Sequence, residues 1–187
     1  EAQGTKWFVS AGLSNSYSKA ETIYLKASDG SNITKSNGIA VSAAGARTLS
    51  LDTSPVVGAS VDDNLTSQPV ILVTDEFSNP VSGAAVDAAI AVGFGTPAAL
   101  RGDTSVVSNA SGLASFTDLG YNLSGETFRL SFTSGALPAV DTGDLGPLST
   151  GAAAKVRVET QADGSGTVVG AQNLASGTGL TFYAVTR

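Results

Sequence analysis

Period is the strongest constraint on this chain. Nowhere do apolar residues recur with helical spacing over a useful length. The best helical run, Ala152-Ala153-Ala154, is too short to nucleate a helix. What recurs is every second residue. From Glu126 to Thr133, Phe128, Leu130 and Phe132 alternate with Thr127, Arg129 and Ser131, which predicts a half-buried strand with the three large side chains inward. The same period predicts strands at Thr22 to Ser28, with Ile23, Leu25 and Ala27 on one face. It predicts others at Gly38 to Ser42 (Ile39 and Val41 together), Arg47 to Asp52 (Leu49, Leu51) and Leu113 to Asp118 (Ala114, Phe116). In Lys155 to Thr160, Val156 and Val158 are expected inward and Lys155, Arg157 and Glu159 outward. Shorter candidates are Trp7-Phe8-Val9, Val56 to Val61, Val86 to Val92, Leu100, Val106-Val107, Thr167 to Val169 and Gly179 to Thr186. Val70 to Asp75 is almost continuously apolar and is expected to be covered on both faces.

Turn chemistry separates these runs. Asp29-Gly30, Asp62-Asp63-Asn64, Asn109-Ala110-Ser111-Gly112 and Asp163-Gly164-Ser165-Gly166 are turn signals. Pro138 and Pro147 make Ser134 to Thr150 a loop with room for one irregular edge strand. Many short strands between regular turns predict an all-β sandwich.

Composition narrows the chemistry. The chain has 187 residues and 42% of them are apolar, enough for a packed core. Cysteine and histidine are absent, which removes disulfides, thiol catalysis, thiolate metal sites and the commonest general base. A net charge of −6 argues against a nucleic-acid partner, which needs a basic face. No apolar run approaches the length of a membrane helix. The first residue is Glu1 rather than Met, as expected of a processed or excised chain.

The remaining chemistry-bearing residues are sparse. Asp62-Asp63, Asp75-Glu76, Asp141 and Asp144 could offer oxygens to calcium, but without an EF-hand or Asp-X-Asp-X-Asp spacing they read first as solvated turn residues. Asp163-Gly-Ser-Gly-Thr lacks the lysine and helix of a phosphate loop. Nothing in the spacing selects a catalytic pair of carboxylates, so no enzyme activity and no cofactor are expected. Trp7, Phe8, Tyr17 and Tyr24 form an aromatic group suited to packing or to stacking on a sugar. Asn32, Asn64, Asn109 and Asn122 begin sequons, expected in surface loops.

Three motifs in order carry a resemblance. Val73 to Ala84 reads Val-Thr-Asp-Glu-Phe-Ser-Asn-Pro-Val-Ser-Gly-Ala, a strand, an aspartate, then an Asn-Pro-Val turn. Ser111 to Leu119 reads Ser-Gly-Leu-Ala-Ser-Phe-Thr-Asp-Leu, and Thr127 to Gly135 is the alternating strand before a Ser-Gly turn. In this order they resemble the bacterial Ig-like repeats of invasin and intimin type. The resemblance implies an Ig-like β-sandwich over residues 46–153, with the terminal strands of one repeat in residues 1–45 and the initial strands of another in 154–187. It also implies a secreted chain at the bacterial cell surface.

Partial repeats would leave Ile23, Leu25, Ile39 and Val41 at one end, and Val156, Val158, Leu180 and Phe182 at the other, without an opposing sheet. These eight are the expected interface. The ends could meet within one chain or between chains by strand complementation, or the chain could be a piece of a longer array. The expected function is an extracellular structural role, as a spacer or as a filament subunit that self-associates head-to-tail into a homopolymer. The alternative is an adhesin or carbohydrate-binding module with a glycan or surface-protein partner.

Overall fold

A computed structural model of the chain describes residues 16–28, 30–153, 156–163 and 165–186. The expected strand at Trp7-Phe8-Val9 lies outside the described residues. The chain is all-β, and the one helical turn among the described residues is the short 3-10 segment Pro97–Ala99.

Four short strands come first: β1 (Thr22–Ile23), β2 (Lys26–Ser28), β3 (Ile33–Lys35) and β4 (Ile39–Ala40). β1 pairs with β4, and β2 with β3. The run from Thr22 to Ser28 is therefore interrupted. At the break, Leu25 N–H donates to Ser36 Oγ (2.9 Å) and Ser36 N–H donates to the Leu25 carbonyl (2.8 Å). A serine hydroxyl has replaced one rung of the ladder there.

The sandwich follows. β5 (Thr48–Thr53), β6 (Val70–Thr74) and β10 (Leu113–Ser115) form one antiparallel sheet with β6 central. The other sheet holds β7 (Ala85–Ile90), β9 (Ser105–Val107), β12 (Leu130–Thr133) and β13 (Val140–Asp141), in the order β13-β12-β7-β9. An immunoglobulin-type sandwich likewise keeps its first, second and fifth strands in one sheet and its third, sixth and seventh in the other. Here the fourth strand, β9, sits beside the third. A small pair, β8 (Leu100–Arg101) with β11 (Gly120–Tyr121), closes one end.

The period that predicted the strands also builds the core. Val86, Ala88 and Ile90 of β7 are buried while Ala85, Asp87 and Ala89 are exposed. Phe128, Leu130 and Phe132 are buried, as their alternation predicts, and each contributes about 1.5–3 kcal/mol. Phe132 meets Phe116 from the opposite side at a 5.4 Å centroid distance, and Tyr121 stacks on Phe128 at 3.9 Å. Gly112 (φ +74) shows why the Asn109 turn needs glycine. A Cβ there would come within 2.7 Å of the Val73 carbonyl oxygen.

Two expectations are corrected in the sandwich. β6 is not covered on both faces: Ile71 and Val73 are buried, but Val70, Leu72 and Thr74 are half-buried. It is central to an antiparallel sheet with one face on the core, and such a sheet leaves the other face towards solvent. Val56 to Val61 adds no strand to the second sheet. It contributes isolated bridges, Val56 to Ser67 and Ser60 to Ser149, because Pro55 ends the ladder. The expected irregular edge strand of Ser134 to Thr150 is β13.

Last come β14 (Val156–Glu159) and β15 (Tyr183–Thr186), an antiparallel pair. Thr167 to Val169 lies along β14 through Thr160 N–H to Thr167 O (3.1 Å) and Val169 N–H to Val158 O (2.9 Å). The expected inward face of β14 is not buried: Val156, Arg157 and Val158 are all exposed, and of the four residues only Glu159 is buried, at 1% exposure.

The N-terminal pairs repeat a register of the sandwich. Ile23↔Ile39, Lys26↔Lys35 and Ala27↔Thr34 correspond to Phe128↔Leu145, Ser131↔Asp141 and Phe132↔Val140, with one extra residue in the later loop. The N-terminal pairs thus have the geometry of the sandwich's last two strands. The C-terminal pair differs: Leu49↔Val73 sets two buried apolar residues opposite each other in β5 and β6, whereas in β14 and β15 Val185 is opposite Arg157 and Val156 is opposite Thr186.

Candidate functional site: the two junctions

The turn after β6 joins the sandwich to what precedes it. Asp75 is 2% exposed, so its carboxylate depends on protein donors. It has four. Oδ1 accepts from the amides of Phe77 and Asn79, both at 2.8 Å. Oδ2 accepts from Asn79 Nδ2 and from the Ala44 amide, both at 2.9 Å. Burial works against the charge, but the hydrogen bonds from Asn79, Ala44 and Phe77 outweigh it and bring the pKa down to about 2. Ser78, at φ 66, turns the chain so that these amides converge.

Asn79 extends the grip. Its Nδ2 donates to Ser18 O at 2.6 Å and its Oδ1 accepts from the Ala20 amide at 2.8 Å. Two side chains of one turn therefore hold the loop before β1 and the linker after β4. Asp75 is neither a solvated turn residue nor free to ligate calcium, because its lone pairs are spent on N–H groups.

The opposite end of β6 leads to the second junction. Gln68 donates to Leu65 O and Leu119 O, and accepts from Leu119 N–H, each at 3.0 Å. Arg101 fixes the adjacent loop through Asn64 Oδ1 and the Asp63 carbonyl. That loop presents Asp62, whose Oδ2 accepts from the Ala152 amide at 2.8 Å. Asp63 turns inward on its own loop, accepting from Ser60 N–H at 3.0 Å. Among the described residues no cluster of three or more metal-ligating side chains forms.

None of the eight expected interface residues is buried. Leu25 (61%), Val156 (65%) and Phe182 (55%) are the most open. Ile39, Val158 and Leu180 are also exposed, and Ile23 and Val41 are half-buried. Ile23 and Ile39 are brought opposite each other by β1 and β4, and Val156 and Val158 share a face of β14. Leu180 and Phe182 precede β15. Tyr17 and Tyr24 are exposed. The first donates to Glu21 and the second lies under Lys35 Nζ at 4.0 Å. Trp7 and Phe8 lie outside the described residues. Asn64 and Asn109 use their side-chain oxygens within the fold.

Sequence reasoning missed the role of Asp75 and Asn79, whose long-range partners are backbone groups of Ser18, Ala20 and Ala44. It also missed the internal match of Glu21-Thr22-Ile23-Tyr24-Leu25 to Glu126-Thr127-Phe128-Arg129-Leu130. In each copy a tyrosine hydroxyl just upstream donates to that glutamate, Tyr17 to Glu21 and Tyr121 to Glu126. Compared with known proteins, the chain matches no family model, no curated protein and no solved structure.

Proposed function

We propose that this chain is an extracellular structural spacer of the bacterial Ig-like type, built from sandwich units in tandem. One observation carries the reading: the strand pairs before the sandwich repeat the register of its last two strands, and a further antiparallel pair follows it. Asp75 and Asn79, which fasten the sandwich to the loop before β1 and the linker after β4, and Asp62, which holds the outgoing chain at Ala152, support a mechanical role. Such a module needs fixed spacing between units and no reaction centre.

The exposed apolar faces favour a second reading, a filament subunit that completes its ends on another copy. The head supplies counterparts of β12 and β13, and the tail adds one further antiparallel pair. Their union would still have open strand edges.

Small-angle scattering over a concentration series separates the readings, using the full chain and a chain lacking Gly179–Arg187. A spacer stays monomeric and elongated at every concentration, and the deletion only shortens it. A filament grows with concentration and stops growing on deletion. A compact full chain no longer than the sandwich alone sinks the spacer. A glycan array with the Trp7→Ala control tests the adhesin alternative, since a spacer binds no sugar.

A further inference from the structure

The crossover between the two N-terminal strand pairs holds the sequence's one Asn-Gly step, Asn37-Gly38. Residues 36–38 leave the ladder between β3 and β4, and Asn37 is exposed. Among the described residues nothing bonds to its carboxamide. The other asparagines described are placed differently. Asn64 and Asn109 are held by their side-chain oxygens, and Asn79 is buried before a proline, which has no N–H. Asn32, Asn122 and Asn173 precede isoleucine or leucine, whose side chains crowd the next amide. Glycine follows Asn37 for a packing reason: a Cβ at position 38 would come within 3.1 Å of Thr22 Cγ2. The missing Cβ also leaves the Gly38 nitrogen open to its neighbour.

Ser36 acts on that nitrogen. Its hydroxyl donates to the Asn37 carbonyl at 2.7 Å while accepting the Leu25 amide at 2.9 Å. A hydroxyl that accepts one hydrogen bond donates the next more strongly. The Asn37 carbonyl and the Gly38 nitrogen share one resonant peptide unit. A polarised carbonyl therefore draws electrons from the nitrogen and makes its proton more acidic.

We infer that Asn37-Gly38 is a site of spontaneous self-modification that releases β4 from β1. Hydroxide takes the Gly38 amide proton, and the nitrogen attacks Asn37 Cγ. The N–Cγ bond forms and the Cγ–Nδ2 bond breaks. Nδ2 leaves as ammonia, its third proton coming from water, which regenerates hydroxide. Water then opens the resulting succinimide, at Cγ to give an aspartate or at the main-chain carbonyl to give an isoaspartate. The isoaspartate puts an extra methylene into the main chain. Ile39 and Ala40 then lose register with Ile23 and Thr22 while Lys35 stays opposite Lys26. The bond from the Val41 amide to Glu21 O, 3.0 Å long, goes with that register.

The test ages the folded full chain in mildly alkaline and mildly acidic buffer. Mass spectrometry follows amide loss and isoaspartate in the tryptic peptide 36–47, and NMR follows exchange of the Val41 amide. The peptide should convert ahead of every other asparagine-containing peptide, and faster in alkali. Ser36→Ala should slow it several-fold, Ser36→Thr should restore it by keeping a hydroxyl, and Asn37→Gln should stop it by enlarging the ring. A serine that only clamped the hairpin would give the opposite result, since its loss frees the loop for attack. In the isoaspartate form, Val41 exchange should be about tenfold faster, the scale of one hydrogen bond, with Phe132 unchanged. An unconverted peptide 36–47, or Ser36→Ala converting at the wild-type rate or above, overturns the proposal. Conversion to isoaspartate with Val41 still protected overturns the release.

Discussion

The β12–β13 pair and the β1–β4 and β2–β3 pairs have one register and opposite fates. Phe128 and Leu130 are 1% and 0% exposed, while Leu25, between β1 and β2, and Ile39, on β4, are 61% and 39% exposed. Alternation and turn chemistry are enough to pair the strands in both places. They do not bury the apolar face, which needs a second sheet about 10 Å away. In the sandwich β5, β6 and β10 provide that sheet. In the N-terminal unit the described residues do not, and local hydrogen bonds such as those between Leu25 and Ser36 hold the hairpin instead.

Truncation is the strongest way to break the comparison. Phe132→Ala should destabilise the sandwich by about 3–5 kcal/mol, since a fully buried aromatic ring leaves a cavity between two sheets. Leu25→Ala should shift the same unfolding transition by less than about 0.5 kcal/mol, as an exposed position does. Urea unfolding read by circular dichroism measures both. Similar losses at the two sites would mean that the N-terminal face is covered in solution.

The next effect is at the junction. Asn79→Ala removes the donor to Ser18 O and the acceptor of the Ala20 amide, costing about 1–3 kcal/mol. The loss should appear as faster amide exchange at Ala20 while core amides such as Phe132 stay protected. The same junction should depend on acid. Asp75 titrates at about 2, below its ordinary 3.8, so its ionised form favours the folded junction. That contribution is complete above about pH 4 and disappears as pH falls towards 2. Asp75→Asn should flatten the loss of Ala44 protection across that window. An unchanged acid profile would show that the carboxylate does not hold the linker.

The difference between regions also marks what was legible in the sequence. Phe128, Leu130 and Phe132 were readable because strand period and burial coincide there. The turns at Asp62-Asp63-Asn64 and Asn109 to Gly112 were readable because their residue types have local causes. Asp75 was not. An aspartate in a turn resembles a solvated one, and its distant donor is the Ala44 backbone, which has no sequence signature. Tyr121 escaped notice because its burial depends on stacking against Phe128 and on Glu126, a tertiary arrangement. The burial of Glu159 was not readable, because alternation predicts which residues share a face and not which of them the neighbouring chain covers.

The smallest effect tests whether the two regions unfold as one. Ser78 has the left-handed φ of 66 that the clasp requires, a conformation that costs a non-glycine residue about 1–2 kcal/mol. Ser78→Gly removes that strain and gives back about 0.5–1 kcal/mol through the freer unfolded chain. The net should be a gain of roughly 0.5 kcal/mol in the sandwich. Asp75 O still accepts from the residue 78 amide, since the bond is main-chain and 3.2 Å long. If the N-terminal hairpin is held only at the junction, its Lys26 and Lys35 amides should exchange as before, while the midpoint of the sandwich rises. A parallel slowing at Lys26 and Lys35 would mean that one cooperative unit spans the clasp. The contrast between buried and open copies would then be one of burial alone, and not of independent stability.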